Sequence, residues 1–474
     1  MEPFIHLHVH TQYSLLDGQA SIDALVDKAQ KDGMNAIAVT DHGNMFGIKE
    51  FFNKVSKKNG KPLGAIKDLE KEQKALKGKE ELTAEEQARL GEIPGLIEAE
   101  KKKIFKPIIG CECYCARNGR FSKTAKEDRS GYHLIVLAKN LNGYKNLIKM
   151  VSISWTEGFY GRPRIDHELL EKYHEDLIIC SACLGGEIPQ HIMHDRIDKA
   201  EESILWFKNL FGEDYYLEMQ RHETHDPNAD CTTFPKQQEV NKVLIELARK
   251  HNVKLIATND VHFVNQEDAE AHDRLICLST GKDLDDPTRM RYSKQEWMKT
   301  TAEMNAIFAD IPEALSNTLE IADKVDFYSI DSGPIMPTFA IPEEFGTEES
   351  YRAKLTEQDL FEEFTRDENG KVVLSEEDAK DKIKKLGGYD KLYRIKLEAD
   401  YLRKLTYDGA KICYGENLTD EVRERLDFEL HIMKTMGFPG YFLIVQDFIA
   451  AAREELGVSV GPGRGSAAGS AVAY

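Results

Sequence analysis

Short apolar runs alternate with amphipathic stretches over the first 265 residues. Ser21 has the character of an N-cap, and the apolar positions that follow it recur at helical spacing up to Gly33. A second helical pattern covers Gln237–His251. The strand-like runs are Phe4–Val9, Ala36–Val39, Pro107–Cys115, His133–Ala138, Leu177–Cys180, Tyr215–Met219 and Lys254–Ala257. This alternation predicts an α/β fold around a parallel sheet, either open or closed into a barrel.

Two charged segments interrupt that rhythm. Lys67–Lys103 alternates Lys with Glu and carries a capping box at Thr83–Glu86, which predicts a helical insertion at about 65–104. A solvated hairpin without a function of its own is the simplest interpretation. Lys354–Lys396 has a similar composition, with Asn369-Gly370 as a turn, and predicts a second insertion at about 353–397.

The C-terminal part of the chain has a different pattern. Gly333, Pro334, Pro337 and Pro342 cluster and predict a boundary near residues 325–345. From Thr419 to Tyr474 we expect an amphipathic helix, a turn at 437–440, a second helix and a glycine-rich loop.

Composition narrows the class of protein. The chain has 474 residues, 41% hydrophobic and 31% charged, an ordinary globular mixture. A net charge of −19 argues against a basic protein that coats DNA but leaves room for a local basic groove. No run approaches the length of a membrane span, and the first residues do not have the pattern of a secretion signal. Eight cysteines are too sparse for a disulfide framework, which favours a reducing cytoplasm.

Metal-type side chains gather at the ends of the predicted strands. In barrels of parallel strands, chemistry concentrates at the carboxyl ends, so these residues are expected to meet. Histidines, carboxylates and one thiolate suit zinc, manganese or iron, and one zinc needs about four ligands. Nine candidate ligands are too many for one ion, so the set indicates two or three ions, an arrangement typical of phosphoester hydrolysis. The nine candidates are His8, His10, Asp17, His42, Glu112, His133, Cys183, Asp260 and His262.

Each of these residues alone also has an ordinary structural explanation. An isolated His-x-His is often a paired core or surface feature, and Cys183 alone is more often a buried small side chain. Cys111, Cys113 and Cys115 share one strand face opposite Glu112, and a buried face is favoured there over a thiolate site. Cys180-x-x-Cys183 resembles a redox pair only weakly. Only the joint arrangement favours a metal site.

Several motifs carry a resemblance to a known family. The segments 6–14 (HLHVHTQYS), 16–18 (LDG), 39–43 (VTDHG) and 259–262 (NDVH) resemble the polymerase and histidinol phosphatase (PHP) domain. More narrowly, they resemble the version found in bacterial replicative DNA polymerase III alpha subunits. The segments 436–445 (MGFPGYFLIV) and 460–470 (VGPGRGSAAGS) are similar to the entry into the palm of those subunits.

The resemblance implies a distorted (β/α)7-type PHP barrel followed by a partial α+β palm of the nucleotidyltransferase type. Metal-binding members hold three ions with nine ligands, and each ligand position finds its residue type among the nine candidates above. The implied domains are a PHP domain at 1–270, a connecting segment at 271–345 and the first part of the palm at 346–474. The implied activity of the metal site is a 3′–5′ exonuclease, or else the domain serves as a scaffold.

The glycine-rich loop has the chemistry of a triphosphate cradle. Gly463 and Gly465 allow backbone N–H groups to approach phosphate oxygens, Arg464 adds charge, and Ser466 and Ser470 offer hydroxyls. Ser466 is also expected to cap a following helix. A bare glycine-rich turn or a weak dinucleotide fingerprint are the alternatives. The resemblance to the palm favours the phosphate role.

The resemblance also implies binding partners, and it implies which activity the 474 residues lack. The family's catalytic aspartates, which hold two magnesium ions for nucleotidyl transfer, follow this loop, so we expect the 474-residue chain not to polymerise DNA. The implied partners of the full-length protein are primer-template DNA, deoxynucleoside triphosphates, the sliding clamp and a proofreading subunit. The alternatives are a free-standing PHP phosphatase acting on a small phosphate ester, which the tail argues against, and a non-catalytic PHP scaffold.

Overall fold

The computed structural model describes residues 1–79, 81–333, 335, 337–461, 463 and 465–474. The chain divides into two compact units, Met1–Asp331 and Ser332–Tyr474. This division lies inside the segment 271–345 that the sequence analysis treats as a connection. The assignment of domains to 1–270, 271–345 and 346–474 stays a prediction. No helix in the described part of the chain has the length and apolar character needed to cross a bilayer.

The first unit is built on one curled, seven-stranded sheet. Its strands are β1 (Ala36–Val39), β2 (Lys106–Cys115), β3 (Tyr132–Ala138), β4 (Arg164–Ile165), β5 (Leu177–Cys180), β6 (Tyr215–Met219) and β7 (Lys254–Ala257). The strand order is β1-β2-β3-β5-β6-β7, and β4 pairs with β2. The α/β class is confirmed. The expectation of an all-parallel sheet is wrong at β3, which runs antiparallel to both β2 and β5.

The predicted first strand, Phe4–Val9, has a different role. Residues 4–9 are all described and form no regular strand, only a bridge between Val9 and Val261. The backbone N–H of Val9 donates to the hydroxyl of Thr40 at 2.8 Å, which interrupts a regular ladder. Ala38 N donates to the His6 carbonyl at 2.9 Å, and His10 N donates to the Val261 carbonyl at 2.7 Å. The segment thus links β1 to the residues that follow β7, bridging the two ends of the sheet.

Helices of the first unit cover the sheet because their apolar stripes need a partner surface. Ser21 caps α1 as predicted, accepting from Ala24 N, and the buried stripe of that helix faces the core. The helices are α1 (Ile22–Lys31), α2 (Ile48–Lys58), α3 (Gly60–Lys77), α4 (Ala84–Lys101), α5 (Leu141–Thr156), α6 (His167–Tyr173), α7 (Glu187–Met193), α8 (Ile197–Phe211), α9 (Thr233–His251), α10 (Ala269–Thr280), α11 (Thr301–Ile307) and α12 (Glu313–Lys324).

The first charged insertion is a helical hairpin made of α3 and α4. The capping box at its second helix is confirmed, since Thr83 and Glu86 bond reciprocally. Few of its side chains are buried, and both helices are rich in Lys and Glu. Its base is closed by Asn59, whose side chain accepts from Phe105 N at 3.0 Å and donates to the Phe105 carbonyl at 2.8 Å. The hairpin is therefore an appendage that is fastened at its root.

The second unit is helical among its described residues. Its helices are α13 (Glu348–Lys354), α14 (Glu357–Thr365), α15 (Glu376–Lys385), α16 (Tyr389–Tyr414), α17 (Asp420–Thr435) and α18 (Pro439–Ala450). The second charged insertion is not simply solvated, because Leu360, Phe364, Ile383 and Leu392 form a buried cluster within it. The predicted turn at Asn369-Gly370 is confirmed, as are the two helices on either side of 437–440.

Candidate metal centre

All nine predicted donor side chains lie at one rim of the curled sheet. The reversed direction of β3 explains why His133, at the start of a strand, joins residues that follow strand ends. His133 is paired with Tyr114 near the end of β2 and forms a bridge with Gly186, which follows β5. His42 and Asp260 come directly after β1 and β7. The antiparallel strand thus brings its first residue to the rim where the parallel strands end.

Glu112 occupies the centre of this cluster and is buried. Its Oε1 lies 2.8 Å from His133 Nδ1 and 3.4 Å from His8 Nε2. Its Oε2 lies 2.5 Å from His42 Nδ1. With His10 Nε2 at 3.7 Å from Oε2, one carboxylate therefore lies within 4 Å of four imidazoles, an arrangement suited to bridging more than one cation.

Three groups of donor atoms are compact enough to hold an ion, with all atoms of each group within 4.8 Å of one another. Glu112 belongs to two of these groups and His10 to two, so the groups are continuous with each other. They are His10 with His42 and His262, His8 with His10 and Glu112, and Glu112 with His133 and Cys183. The Cys183 Sγ lies 3.7 Å from His133 Nδ1.

Two aspartates add carboxylate oxygens to the cluster, each beside a different pair of histidines. Asp260 Oδ1 lies 3.1 Å from His8 Nε2 and 3.2 Å from His10 Nε2. Asp17 Oδ2 lies 2.9 Å from His42 Nε2 and 3.9 Å from His262 Nε2. Each aspartate therefore has an oxygen directed between two imidazole nitrogens.

The donor atoms fit a divalent cation better than they fit one another. Within the described part of the chain, His42 Nδ1, Glu112 Oε2 and Asp260 Oδ1 are buried polar atoms without a hydrogen-bond partner. Although His42 Nδ1 and Glu112 Oε2 are 2.5 Å apart, they lack hydrogen-bond geometry. Buried polar atoms left unpaired are costly, and a cation among them would satisfy all three.

Electrostatics lead to the same conclusion. Burial lowers the pKa of His10 to about 3, helped by the neighbouring His42 and His262. Burial also opposes charge on His42, but Glu112 and Asp17 overcome it and raise the pKa of His42 to about 10. The pKa of Glu112 is held well below its usual range against burial, mainly by His133 and His42. Without a metal ion, protons on the imidazoles balance the negative charge of the carboxylates. A divalent ion bound here would displace those protons and balance the same charge.

An outer layer of residues orients the inner donors. Glu218 Oε1 lies 2.6 Å from His8 Nδ1 and also accepts from Thr258 Oγ1 and Gln220 Nε2. Ser14 Oγ lies 2.9 Å from His10 Nδ1 and donates to Asp41 at 2.7 Å. Such partners fix which imidazole nitrogen faces the centre.

Sequence reasoning missed Glu218 as a functional residue. It lies in β6, a strand that is buried at every position. A single carboxylate in an otherwise apolar run was the available signal, because a buried charge requires a partner. Tyr292 was also missed, and its hydroxyl donates to Asp17 Oδ1 at 2.8 Å. Tyr292 lies in a loop where no sequence periodicity singled it out.

Strained backbone accompanies the donors. Leu16, Ala182 and Asp260 have positive φ values of 60°, 62° and 47°, and they precede or are predicted ligands. Left-handed conformations of non-glycine residues cluster at functional sites, where the surrounding structure holds them. Gly43, directly after His42, has φ +60°, and a Cβ there would lie 2.7 Å from Pro163 Cγ. Only glycine fits that turn without a shift of its neighbours.

The predicted phosphate loop is placed only in part. Arg464 and the side chain of Ser466 lie outside the described residues. Gly463 and Gly465 are described, and φ of Gly465 is +99°. The expected helix after the loop is wrong: residues Ser466–Gly469 form a single 3₁₀ turn preceded by Gly465. Ser470 Oγ donates to Glu429 Oε2 at 2.6 Å, so this hydroxyl is engaged within the second unit.

The predicted cysteine face is confirmed as buried. Cys111, Cys113 and Cys115 are all free and buried. Burial, with help from Cys113 and Asp41, raises the pKa of the Cys111 thiol well above its usual range. These thiols are packing groups of β2, and Glu112 on the opposite face is the residue of this strand that belongs to the compact donor groups.

Comparison with known families agrees with the geometry. Residues 6–222 match the PHP domain. Residues 400–474 match the bacterial DNA polymerase III alpha NTPase domain. The chain thus carries a PHP domain, and the donor sets described above support divalent metal binding in it. The PHP match ends before Asp260 and His262, so only their position beside the other candidate donors supports including them.

Curated relatives narrow the family further. DNA polymerase III subunit alpha of Borreliella burgdorferi is 40% identical over 476 residues, covering 99% of this chain and 32% of the relative. The proteins of the same name from Thermus aquaticus and Treponema pallidum are 36% and 34% identical, again over 99% of this chain and 35% and 31% of the relatives. Over almost its whole length the chain is similar to bacterial DNA polymerase III alpha subunits, and it spans about a third of the length of these relatives.

One solved structure bears a weaker likeness. This structure is of a protein from Bifidobacterium adolescentis that has been assigned as a metal-dependent phosphoesterase. The alignment covers 65% of this chain and 97% of the other chain, at 12% sequence identity. The TM-score is 0.28, which is too low to bear on fold or function.

Proposed function

We propose that this chain is part of a replicative DNA polymerase III alpha subunit and that its PHP centre hydrolyses a phosphodiester at the 3′ end of DNA. The observation that carries the proposal is the central position of Glu112, shared by two compact donor groups. That arrangement, in a chain of the polymerase family, favours two or three divalent ions, with zinc, manganese or iron as candidates.

The proposed substrate approaches from the exposed side of the cluster. The side chains of Asp17 and His133 are 25% and 26% exposed, whereas His8, His10 and Glu112 are at most 1% exposed. Divalent ions bound here supply Lewis acidity toward a phosphate oxygen and a nucleophile from water near neutral pH. The buried histidines would hold the ions, and the more exposed side of the cluster, at Asp17 and His133, is left open to the phosphodiester.

The chain's own residues determine which nitrogens face the centre. Glu218 accepts the proton of His8 Nδ1, which leaves His8 Nε2 as a donor atom for an ion. Ser14 donates its hydroxyl to Asp41, so it accepts from His10 Nδ1 and leaves His10 Nε2 unprotonated. His262 Nδ1 lies 2.8 Å from the Asp260 carbonyl, which assigns its proton in the same way. Three imidazoles thus present their Nε2 atoms to the same space.

The wider activity belongs to the proposal as well. We assign template-directed DNA synthesis with magnesium to the longer protein, in the cytoplasm, with primer-template DNA and deoxynucleoside triphosphates as substrates. The sliding clamp and a proofreading subunit are the proposed replisome partners. The loop of Gly463, Arg464, Gly465, Ser466 and Ser470 is proposed to contact the triphosphate, which requires Ser470 to exchange its bond with Glu429.

Metal content and hydrolysis test the proposal on the same preparation. The purified chain is expected to contain two or three equivalents of metal, and His8→Ala/His10→Ala is expected to lower both metal content and melting temperature. The control is His225→Ala, because the side chain of His225 is 90% exposed. Unchanged metal stoichiometry in the double variant would refute the ligand assignment.

The hydrolysis test uses single-stranded DNA labelled at its 3′ end. Metal-loaded chain is expected to release the terminal nucleotide, and Asp260→Asn is expected to abolish release because Asp260 faces both His8 and His10. Asp283→Asn, at an exposed position, is the matched control. If metal-loaded protein shows no release with zinc, manganese, iron or magnesium, the scaffold alternative replaces the exonuclease.

A further inference from the structure

Three exposed aromatic side chains lie beside the metal centre and have no role in the site described above. Phe46, Trp155 and Phe159 are 60%, 43% and 46% exposed. The rings of Trp155 and Phe159 are stacked, with centroids 5.5 Å apart and planes 15° apart. Phe46 lies next to Trp155, with centroids 6.4 Å apart. We call these three side chains the aromatic platform. Large aromatic rings exposed together are uncommon on a surface without a binding role.

The platform is fastened to the metal centre through one peptide unit. Trp155 Nε1 donates to the carbonyl of Gly43 at 2.8 Å, and Gly43 follows His42. The backbone N–H of Gly43 in turn donates to the Glu112 carbonyl at 2.8 Å. The position of Trp155 is therefore set by the same turn that positions His42.

One arginine lies against the tyrosine that stacks on His42, and a second arginine lies beside the loop of the first. The guanidinium of Arg162 lies 5.6 Å from the ring centre of Tyr114, and that ring stacks on His42 at 6.1 Å. Arg129 lies beside the loop of Arg162, since a Cβ on Gly161 would be 3.3 Å from the Arg129 Cβ. Both arginines are exposed, and neither forms an ion pair within 4 Å among the residues that the structure describes. In a chain of net charge −19, unpaired cations at this rim favour an anionic ligand.

We propose that the aromatic platform and Arg162 form a binding subsite for single-stranded nucleic acid, which leads its 3′ end into the metal centre. Every base has a π face, so stacked aromatic rings hold a single strand without reading its sequence. Arg162 meets a backbone phosphate beside His42, and the platform receives the bases of the nucleotides upstream. The inference deepens the proposed hydrolysis and names its substrate class, a frayed or unpaired 3′ end rather than a duplex end.

The test measures binding separately from hydrolysis. The probe is a fluorescein-labelled oligothymidylate of eight nucleotides with phosphorothioate linkages, followed by anisotropy with the metal-loaded 474-residue chain. Phe46→Ser/Phe159→Ser leaves the Trp155–Gly43 hydrogen bond in place and is expected to raise the Kd at least about tenfold, the effect of losing base stacking. Leu278→Ala is the control, because Leu278 is 69% exposed and lies on α10. An unchanged Kd in the double variant overturns the proposal and indicates that the platform serves another partner, such as a protein.

Two further variants separate stacking from charge and from folding. Arg162→Gln is expected to reduce the slope of log Kd against log salt by about 0.7, the value for one phosphate on a single strand, whereas the double phenylalanine variant keeps the slope. Trp155→Phe keeps an aromatic face, so binding persists while quenching of tryptophan fluorescence by the oligonucleotide is lost. Quenching that persists in Trp155→Phe would contradict the proposal, because Trp297 is buried and Trp206 stacks on His167.

These results distinguish failure of the subsite from failure of the hydrolytic proposal. Platform-dependent binding without any release of nucleotide would retain the subsite and remove the exonuclease. If the chain cleaves bis(p-nitrophenyl) phosphate with metal but binds the oligonucleotide equally well without the platform, the hydrolytic proposal would stand and the subsite would be removed. If both stand, Phe46→Ser/Phe159→Ser is expected to raise the KM for single-stranded DNA while leaving cleavage of the small diester unchanged.

Discussion

Glu218 contacts the predicted metal ligand His8 but is not itself a predicted ligand. It is therefore the most informative position for a substitution. It is buried, and its Oε1 lies 2.6 Å from His8 Nδ1. Glu218→Gln keeps an acceptor oxygen but removes the negative charge that polarises the imidazole. We expect the variant to fold, to keep every inner donor side chain and to bind metal more weakly.

The magnitude follows from the type of contact. A hydrogen bond to a charged group is roughly twice as strong as a neutral one, and losing such an outer partner typically costs about 10–100-fold in metal affinity. That corresponds to about 1.4–2.8 kcal/mol. The new amide N–H group also has a stability cost of about 1–3 kcal/mol, since Glu218 Oε2 is buried without a hydrogen-bond partner among the described residues.

The assay is a zinc titration against a chelator of known affinity, with urea unfolding of the metal-free proteins measured in parallel. Glu246→Gln is the matched control, because Glu246 is an exposed residue of α9. Equal metal affinity of Glu218→Gln and wild type, with both proteins folded, would refute the view that Glu218 orients His8 for an ion.

Three other predictions concern the scaffold. Gly43→Ala is expected to lower stability about 1–3 kcal/mol more than Gly212→Ala. The two glycines have similar φ values, +60° for Gly43 and +58° for Gly212, but only a Cβ on Gly43 would clash, with Pro163 Cγ at 2.7 Å. Equal losses of stability in thermal unfolding would contradict this. Replacing residues 61–103 by a short Gly/Ser linker is expected to leave metal content unchanged, and elemental analysis showing a loss would assign the hairpin a role in the centre. Burial lowers the pKa of Lys299 to about 7 against nearby glutamates. In the unfolded chain, Lys299 keeps its ammonium proton up to about pH 10. Burying the charged ammonium therefore destabilises the folded state fully below about pH 7, and this penalty is relieved as the pH rises toward 10. Lys299→Met is expected to flatten this rise in unfolding free energy, and parallel pH curves for the two proteins would contradict it.

The strands carrying the metal centre were predictable because each is a short buried run bounded by turns. β1, β5, β6 and β7 have the predicted limits, and His42 and Asp260 follow β1 and β7 as expected. The direction of β3 was not predictable, because an apolar run has the same pattern in either orientation. His133 nevertheless reaches the rim, since reversal of the strand exchanges its two ends.

Other features depended on contacts that a linear pattern does not contain. The segment Phe4–Val9 has the apolar character of a strand, but the hydroxyl of Thr40 takes up the Val9 N–H. Charge dominates the composition of 353–397, yet Leu360 and Phe364 recur at helical spacing and pack on Leu392 from a later helix. Glu218 supports His8 across a separation of 210 residues, and only the folded sheet brings them together.

That separation has a consequence for how the protein is made. His8 emerges from the ribosome well before Glu218, which follows 210 residues later, and Val261 with its backbone contact to His10 emerges later still. At about 5–20 residues per second, roughly 10–40 s pass between them. During that interval the amino-terminal segment has neither its bridging contacts nor its complete ligand set. Residues synthesised early in this domain are therefore among the last to be fixed, and loading of the centre follows release of residue 262 from the ribosomal tunnel.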